Sequence, residues 1–352
     1  MLILSNDDVR AVLPMAEALS VLEQVYRDFA NGLAHGTTTR LDTRVTLSDT
    51  GRFFSFMSME GTTPDGDLMA LRFNANHEIF VTVNGDTKKA HLPSAPGARY
   101  LGLVLLVAMR DTRPLALMHE GYLSALRVGA TSALAARYLS RPDAGDVALF
   151  GCGDQARAQL LGLAEVRRLR KVRVFSRNEA RRAAFAEEMG AALGVPVIPM
   201  SDPRAAVEGA DLVVAATNSL DPVFSAEWLA DGAHIGAIVP GEVDPATYER
   251  SHVTAVNSKA PFGNERGYLT DTERDWTQYP DLGEVVTGRV AGRSDESQIT
   301  FFMNNAGLGF QFAACAAKVW AAACEGGLGH EVPTDWLLQP MSAWTPRDTE
   351  TL

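Results

Sequence analysis

Residues 147–166 read VALFGCGDQARAQLLGLAEV, and this stretch decides the fold of the chain. Its first four residues are apolar and predict a short buried strand. After two closely spaced glycines, Ala156, Leu160 and Leu163 recur at the spacing of one helix face. The stretch therefore predicts a strand, a glycine-rich turn and a helix in direct succession.

The glycine-rich turn has the chemistry of a phosphate-binding loop. Gly151 permits a tight turn, Gly153 lets the backbone approach a diphosphate, and Ala156 takes a third small-residue position where helix and strand pack closely. The N–H groups at the start of the helix, around Asp154 and Gln155, favour phosphates, as does the helix dipole. A purely structural turn is the alternative, but the strand–helix context favours dinucleotide binding.

The same alternation of strand and helix continues through residues 127–302. Short apolar runs are separated by alanine- and charge-rich helical stretches, and parallel strands need such crossovers. The sequence predicts an α/β fold of the Rossmann type, with a doubly wound parallel sheet. The predicted strands are Val147–Phe150, Val172–Phe175, Val195–Ile198, Leu212–Ala216, Ile235–Val239 and Val253–Val256.

Residues 1–126 show a different pattern, in which one helical stretch at Val21–Ala30 precedes several short strands. The helix Phe312–Cys324 precedes a tail that we expect to fold back on these strands. The sequence thus predicts a second, α+β domain built from both termini, residues 1–126 with 303–352. Its predicted strands are Phe53–Met57, Leu68–Phe73, Ile79–Val83, Leu101–Met109 and Pro114–Met118.

The composition narrows the class of protein. The 352 residues are 46% hydrophobic and carry a net charge of −11, which argues against broad binding to nucleic acid or to an anionic membrane. Three scattered cysteines give no disulfide or metal spacing. The first residues lack a signal-peptide pattern and no apolar run is long enough to span a bilayer. We expect a cytoplasmic protein that binds no metal.

The end of the second predicted strand bears on the choice of dinucleotide. An NAD site usually has a carboxylate there for the ribose 2′-hydroxyl, whereas this chain has Ser176, Arg177 and Asn178, with Glu179 only afterwards. A guanidinium binds phosphate well, which favours NADP(H), with NAD(H) still possible. Arg177 as an ordinary solvated loop residue is the alternative.

Two later strand ends supply further candidates for cofactor binding. Thr217 and Asn218 follow the run ADLVVAA, and Val239 ends the next strand. In open α/β sheets, the carboxyl ends of strands face the ligand crevice. Chance placement of these residues in a loop is the alternative.

Several segments together resemble the ornithine cyclodeaminase/mu-crystallin family. They are residues 121–159 (GYLSALRVGATSALAARYLSRPDAGDVALFGCGDQARAQ), 209–238 (GADLVVAATNSLDPVFSAEWLADGAHIGAI), 282–294 (LGEVVTGRVAGRS) and 299–309 (ITFFMNNAGLG). The resemblance implies a Rossmann domain, a substrate-binding and dimer-forming domain from both termini, and a homodimer. It also implies redox or elimination chemistry at C–N bonds of amino acids.

The resemblance assigns arginines to the substrate. Arg127, in ALRVGAT, matches the family arginine that contacts the substrate carboxylate. A second family arginine corresponds to Arg44, or to Arg40 after a small gap. A guanidinium can bind a carboxylate through two hydrogen bonds, which suits this role.

Two positions depart from the family pattern and concern the catalytic groups. Arg72 stands where relatives carry lysine; it can hold a carboxylate but is a poor proton shuttle. Lys88 or Lys89 could supply an amine instead, although surface lysines are the simpler reading. Glu242 is the nearest counterpart of an acidic residue that relatives place at the cofactor crevice, with Asp244 second.

Together these features predict an NAD(P)-dependent oxidoreductase that acts on C–N bonds of an amino acid or of a cyclic or keto-imine carboxylate. In this hypothesis Arg127, Arg72 and Arg44 hold the substrate carboxylate, and Glu242 or water handles the proton of the nitrogen. One alternative is a cyclodeaminase-like ammonia lyase with tightly bound NAD. The other is a nucleotide-binding protein without catalytic activity.

Overall fold

The computed structural model describes residues 1–36, 41–48, 52–83, 86–92, 97, 99–260 and 274–339. Two sheets dominate this part of the chain, one mainly antiparallel and one entirely parallel. Both predicted fold types are therefore present, and residues of both sheets line one cleft.

The first sheet has eight strands in the order β15-β1-β7-β6-β4-β3-β2, with β5 paired to the far half of β4. Among the described strands of this sheet, only the pairing of β1 with β7 is parallel. Because β15 pairs with β1, residues 330–331 lie at the edge of the first sheet. The strands are β1 (Leu2–Leu4), β2 (Leu41–Thr46), β3 (Phe53–Thr63), β4 (Leu68–Val83), β5 (Asp86–Leu92), β6 (Leu101–Ala108), β7 (Pro114–His119) and β15 (His330–Glu331).

Strand β4 corrects the sequence prediction, because one strand of 16 residues replaces the two predicted at Leu68–Phe73 and Ile79–Val83. The intervening residues 74–78, NANHE, are mostly polar, as is typical of a loop between two strands. In the structure they continue the alternation of a strand, with Asn74, Asn76 and Glu78 on a buried face.

The second sheet has seven parallel strands in the order β10-β9-β8-β11-β12-β14-β13. The strand order reverses beside β8, and ligands of doubly wound sheets bind at such a switch point. All six predicted strands exist; β14 was not predicted. The strands are β8 (Asp146–Phe150), β9 (Lys171–Phe175), β10 (Val197–Met200), β11 (Leu212–Ala215), β12 (His234–Ala237), β13 (Val253–Val256) and β14 (Thr300–Met303).

Helices cover the sheets and connect them. Helix α3 packs its apolar residues into the core of the first sheet and its small residues against α4, so it crosses the boundary predicted at residue 126. No helix of the described ranges is long and apolar enough to cross a membrane. The helices are α1 (Asn6–Val12), α2 (Met15–Ala30), α3 (Gly121–Leu139), α4 (Asp154–Val166), α5 (Glu179–Leu193), α6 (Pro203–Val207), α7 (Ala246–Arg250), α8 (Leu282–Val286) and α9 (Gly309–Gly326).

Candidate functional site

A cleft of about 1600 Å³ opens between the carboxyl ends of the parallel strands and the first sheet. The Rossmann side contributes the glycine loop and the ends of β9, β11 and β12. The other side contributes one face of β4 and the start of α3. The cleft therefore joins the predicted dinucleotide site to side chains of the other sheet.

The glycine loop between β8 and α4 fits a diphosphate. Gly151 has φ +113°, and a Cβ there would lie 2.3 Å from the carbonyl oxygen of Ala216, so only glycine suits this position. Gly153 precedes α4 without any side-chain cap, and its Cβ would meet no described atom within 4 Å. Asp154 and Gln155 line the cleft, whereas Ala156 is fully buried beneath the loop.

The end of β9 places Ser176, Arg177 and Asn178 on the cleft wall. Asn178 also caps α5, because its side chain accepts a hydrogen bond from the backbone N–H of Arg181 at 2.9 Å. Arg182 donates to the carbonyl oxygen of Ser176 at 2.5 Å and so fixes the loop. Within residues 175–181 none of the side chains lining the cleft is a carboxylate.

Thr217, Asn218 and Val239 line the cleft at the ends of β11 and β12, whereas Glu242 lies behind them. Glu242 is completely buried, and its Oε1 accepts hydrogen bonds from the backbone N–H and the hydroxyl of Thr217 at 2.8 and 3.2 Å. Burial raises the pKa of this carboxyl well above the ordinary glutamate value. Glu242 thus supports the cleft wall and does not line it, a placement that does not favour the predicted direct contact with substrate.

On the opposite wall, Arg72 forms a buried ion pair with Glu120. Nε and Nη2 of Arg72 donate to Oε2 and Oε1 of Glu120 at 2.5 and 2.8 Å, and Nδ2 of Asn74 donates to Oε1 at 3.2 Å. All three side chains line the cleft and are less than one-tenth exposed. Arg72 therefore occupies the predicted substrate side, already paired with a carboxylate.

Arg127 lies deeper than predicted. Its Nη1 donates to Oε1 of Gln311 at 3.0 Å, and its guanidinium stacks on Phe312 with 4.8 Å to the ring centroid. Burial, reinforced by the charge of nearby Arg72, lowers the pKa of Arg127 to about 10. Arg127 is not among the described residues that line the cleft.

Among the described residues, the remaining arginine candidate, Arg44, does not line the cleft. Arg44 pairs with Glu78 at 3.7 Å. Arg40 lies outside the described residues, as do the side chains of Lys88 and Lys89 on β5. Asp244 caps the turn at Ala226 and Ala246, where its side chain accepts two backbone hydrogen bonds at 2.9 and 3.0 Å.

Comparison with known proteins agrees with this architecture. The model of the ornithine cyclodeaminase/mu-crystallin family matches residues 2–327. The chain belongs to this family.

Individual members of the family align over most of their length. A putative dehydrogenase of Rhizobium meliloti is 32% identical over 92% of this chain and 96% of its own length. A Delta(1)-pyrroline-2-carboxylate reductase of Bacillus cereus is 31% identical over 66% of this chain and 74% of its own. The structure of the Thermococcus litoralis Delta(1)-pyrroline-2-carboxylate reductase with NADH and L-proline is 27% identical, with a TM-score of 0.78, and covers 94% of this chain and all of that one.

The polar cleft residues that sequence reasoning missed include Asn74, Asn76 and Glu120. A signal for the first two was present, because Arg72, Asn74 and Asn76 alternate with apolar residues as one face of a strand does. Glu120 gave a weaker signal, since a carboxylate before a helix is an ordinary feature. Its pairing with Arg72 joins residues 48 positions apart, which the family segments quoted above do not specify.

Proposed function

We propose that this protein catalyses the NAD(P)H-dependent reduction of a carboxylated imine to an amino acid, or the reverse oxidation. The class itself, an NAD(P)-dependent oxidoreductase acting on C–N bonds, agrees with the family and with its pyrroline-carboxylate reductases. The observation that carries the proposal is the position of Arg72, which faces the glycine loop and strand ends of the Rossmann sheet across one cleft.

The residues of this chain would position both reactants. The N–H groups of α4 and the loop around Gly153 would hold the diphosphate, and Thr217, Asn218 and Val239 would hold the nicotinamide half of the cofactor. When bound, the nicotinamide supplies or accepts a hydride. Arg72 would bind the substrate carboxylate, because only two of its five N–H groups are used on Glu120.

For the dinucleotide we favour NADP(H) over NAD(H). Support comes from Arg177 and Arg181, two guanidinium groups at the cleft wall beyond β9, where a 2′-phosphate would lie. The absence of a cleft-lining carboxylate within residues 175–181 points the same way. The NADH in the Thermococcus litoralis relative keeps NAD(H) as the alternative.

Glu242 is better suited to positioning the loop after β11 than to proton transfer. It binds both the backbone N–H and the hydroxyl of Thr217, the residue with which the loop after β11 begins. A fully buried carboxyl that accepts both hydrogen bonds can hold this loop without contact with the substrate. Arg127 has a comparable supporting place, because it and Arg72 both stack on Phe312.

A homodimer in the cytoplasm remains our expectation for the assembly. The outward face of β3 and β4 carries the partly exposed side chains of Phe56 and Phe73, stacked 5.9 Å apart. Partly exposed aromatic side chains on a sheet face are typical of an interface.

Absorbance of the reduced dinucleotide tests the proposal. NADPH is mixed with the protein and a panel of cyclic imine carboxylates, or of 2-oxo acids with ammonia or methylamine. The proposal predicts oxidation of NADPH that depends on both the protein and the imine. Ammonia release from a diamino acid with a flat absorbance trace would instead favour the cyclodeaminase-like lyase, and tight NADPH binding without turnover would favour a binding protein.

A further inference from the structure

Glu120 is the buried carboxylate of the cleft. Among the described residues that line it, the carboxylates are Glu120, Asp154 and Asp221. The side chain of Asp154 is 91% exposed and Asp221 is exposed, whereas Glu120 is 2% exposed. A carboxylate removed from water requires partners, and its unused capacity determines what else it can bind.

The protein uses only part of the hydrogen-bonding capacity of the Glu120 carboxylate. Arg72 and Asn74 together donate three hydrogen bonds to its two oxygens. An ionised carboxylate has about four acceptor positions, so it can accept a further donor. Oδ1 of Asn74 is a second acceptor, because it is buried and accepts no hydrogen bond from the described chain.

Gly102, on strand β6, has no side chain and so leaves room for the side chain of Glu120. A Cβ at Gly102 would lie 2.5 Å from Cγ of Glu120 and 2.6 Å from its Oε1. The backbone N–H of Glu120 also donates to the carbonyl oxygen of Gly102 at 3.0 Å. The carboxylate is therefore packed against β6 in a defined orientation beside the guanidinium of Arg72.

We propose that Glu120 and Oδ1 of Asn74 bind the N–H groups of the substrate nitrogen while the remaining N–H groups of Arg72 bind its carboxylate. The adjacent positive and negative groups of the pair complement the adjacent carboxylate and protonated nitrogen of a 2-amino or 2-imino acid. This inference rests on the proposed function and gives it a substrate class. The cleft should discriminate against 2-hydroxy acids and cyclic ethers, which have no cationic nitrogen.

Calorimetry with two ring acids that differ at one position tests this inference. L-Proline has a charged NH₂ group where tetrahydrofuran-2-carboxylate has an ether oxygen. With NADP⁺ bound, we expect the wild-type protein to bind L-proline at least about tenfold more tightly, as hydrogen bonds to charged groups imply. Glu120→Gln should lose this preference and keep the Kd for NADP⁺. Glu187→Gln, the same change on an exposed side chain of α5, should keep both.

A second variant is needed as a control for misfolding, because Glu120→Gln leaves Arg72 buried without its carboxylate. Arg72→Met combined with Glu120→Gln removes both charges and should also lose the preference, with both acids bound weakly. A preference that survives in the Glu120 variants would overturn the role of Glu120 and leave the proposed function intact. Equal or absent binding of the two acids by the wild type would contradict recognition of the nitrogen, and absent dinucleotide binding would overturn the proposed function itself.

Discussion

At the scale of single residues, the proposed cofactor side and substrate side of the cleft differ in how deeply their arginines are buried. On the substrate side, Arg72 is buried and paired with Glu120. On the cofactor side, Arg177 and Arg181 are exposed at the cleft wall. Because these guanidinium groups are exposed, substitution of Arg177 or Arg181 should change the stability of the fold little and the affinity for the dinucleotide more.

Arg177→Ala is expected to raise the Kd for NADPH at least about tenfold, because a charge-assisted contact with the 2′-phosphate is lost. The Kd for NADH should change by less than about twofold, since NADH lacks that phosphate. Titration by fluorescence measures both constants. Arg168→Ala removes an exposed arginine outside the cleft and is the matched control. Equal losses for the two dinucleotides would show that Arg177 does not read the 2′-phosphate.

Glu242→Gln is expected to keep turnover and the Kd for the dinucleotide, because an amide oxygen can accept the same hydrogen bonds from Thr217. Since burial raises the pKa of Glu242 in the folded state, its contribution to stability is present below about pH 4.5 and declines as the pH rises. The glutamine variant should therefore gain stability relative to the wild type as the pH rises above about 4.5, measured by urea unfolding.

Glu242→Ala is the contrasting variant, because it leaves the N–H of Thr217 without its acceptor and opens a cavity. We expect it to be destabilised by about 2–4 kcal/mol. Loss of turnover in a well-folded Glu242→Gln protein would mean that this carboxyl does transfer protons, as the sequence analysis first suggested.

At the scale of elements, local patterns predicted the Rossmann sheet well. The six strands from β8 to β13 and the glycine loop follow from hydrophobic runs and glycine spacing, which act over a few neighbouring residues. The family resemblance supplied the assignment to a family and the expected chemistry at C–N bonds. Local patterns did not predict the full length of strand β4 or the pair of Arg72 with Glu120. Buried polar residues resemble loop residues until their tertiary contacts are known.

The contact between β3 and α9 shows such a tertiary constraint. A Cβ at Gly309 would lie 1.7 Å from the carbonyl oxygen of Glu60, so helix and strand backbones touch. Gly309→Ala should destabilise the fold by about 1–3 kcal/mol or more through overpacking. Gly326→Ala, at the other end of α9, meets no described atom closer than 3.7 Å and should be neutral or stabilising. Equal unfolding midpoints for the two variants in urea would contradict this packing.

At the scale of the whole molecule, the proposed function gives the two sheets separate tasks within one cleft. The parallel sheet presents backbone N–H groups and strand ends, while the antiparallel sheet presents Arg72, Asn74 and Glu120. Neither set alone can bring a carboxylated imine to a nicotinamide. The proposed function therefore requires a dinucleotide whose diphosphate lies over the loop that contains Gly153.

Calorimetric titration of the wild type and of Gly153→Ala with NADPH and NADH tests this claim most directly. The added methyl group meets no described atom within 4 Å, so the variant should fold normally, yet it occupies the space assigned to the diphosphate. We predict that the wild type binds at least one of the two dinucleotides and that Gly153→Ala raises its Kd at least about tenfold. Equal affinity of both proteins, or no binding of either dinucleotide by well-folded wild-type protein, would contradict the account.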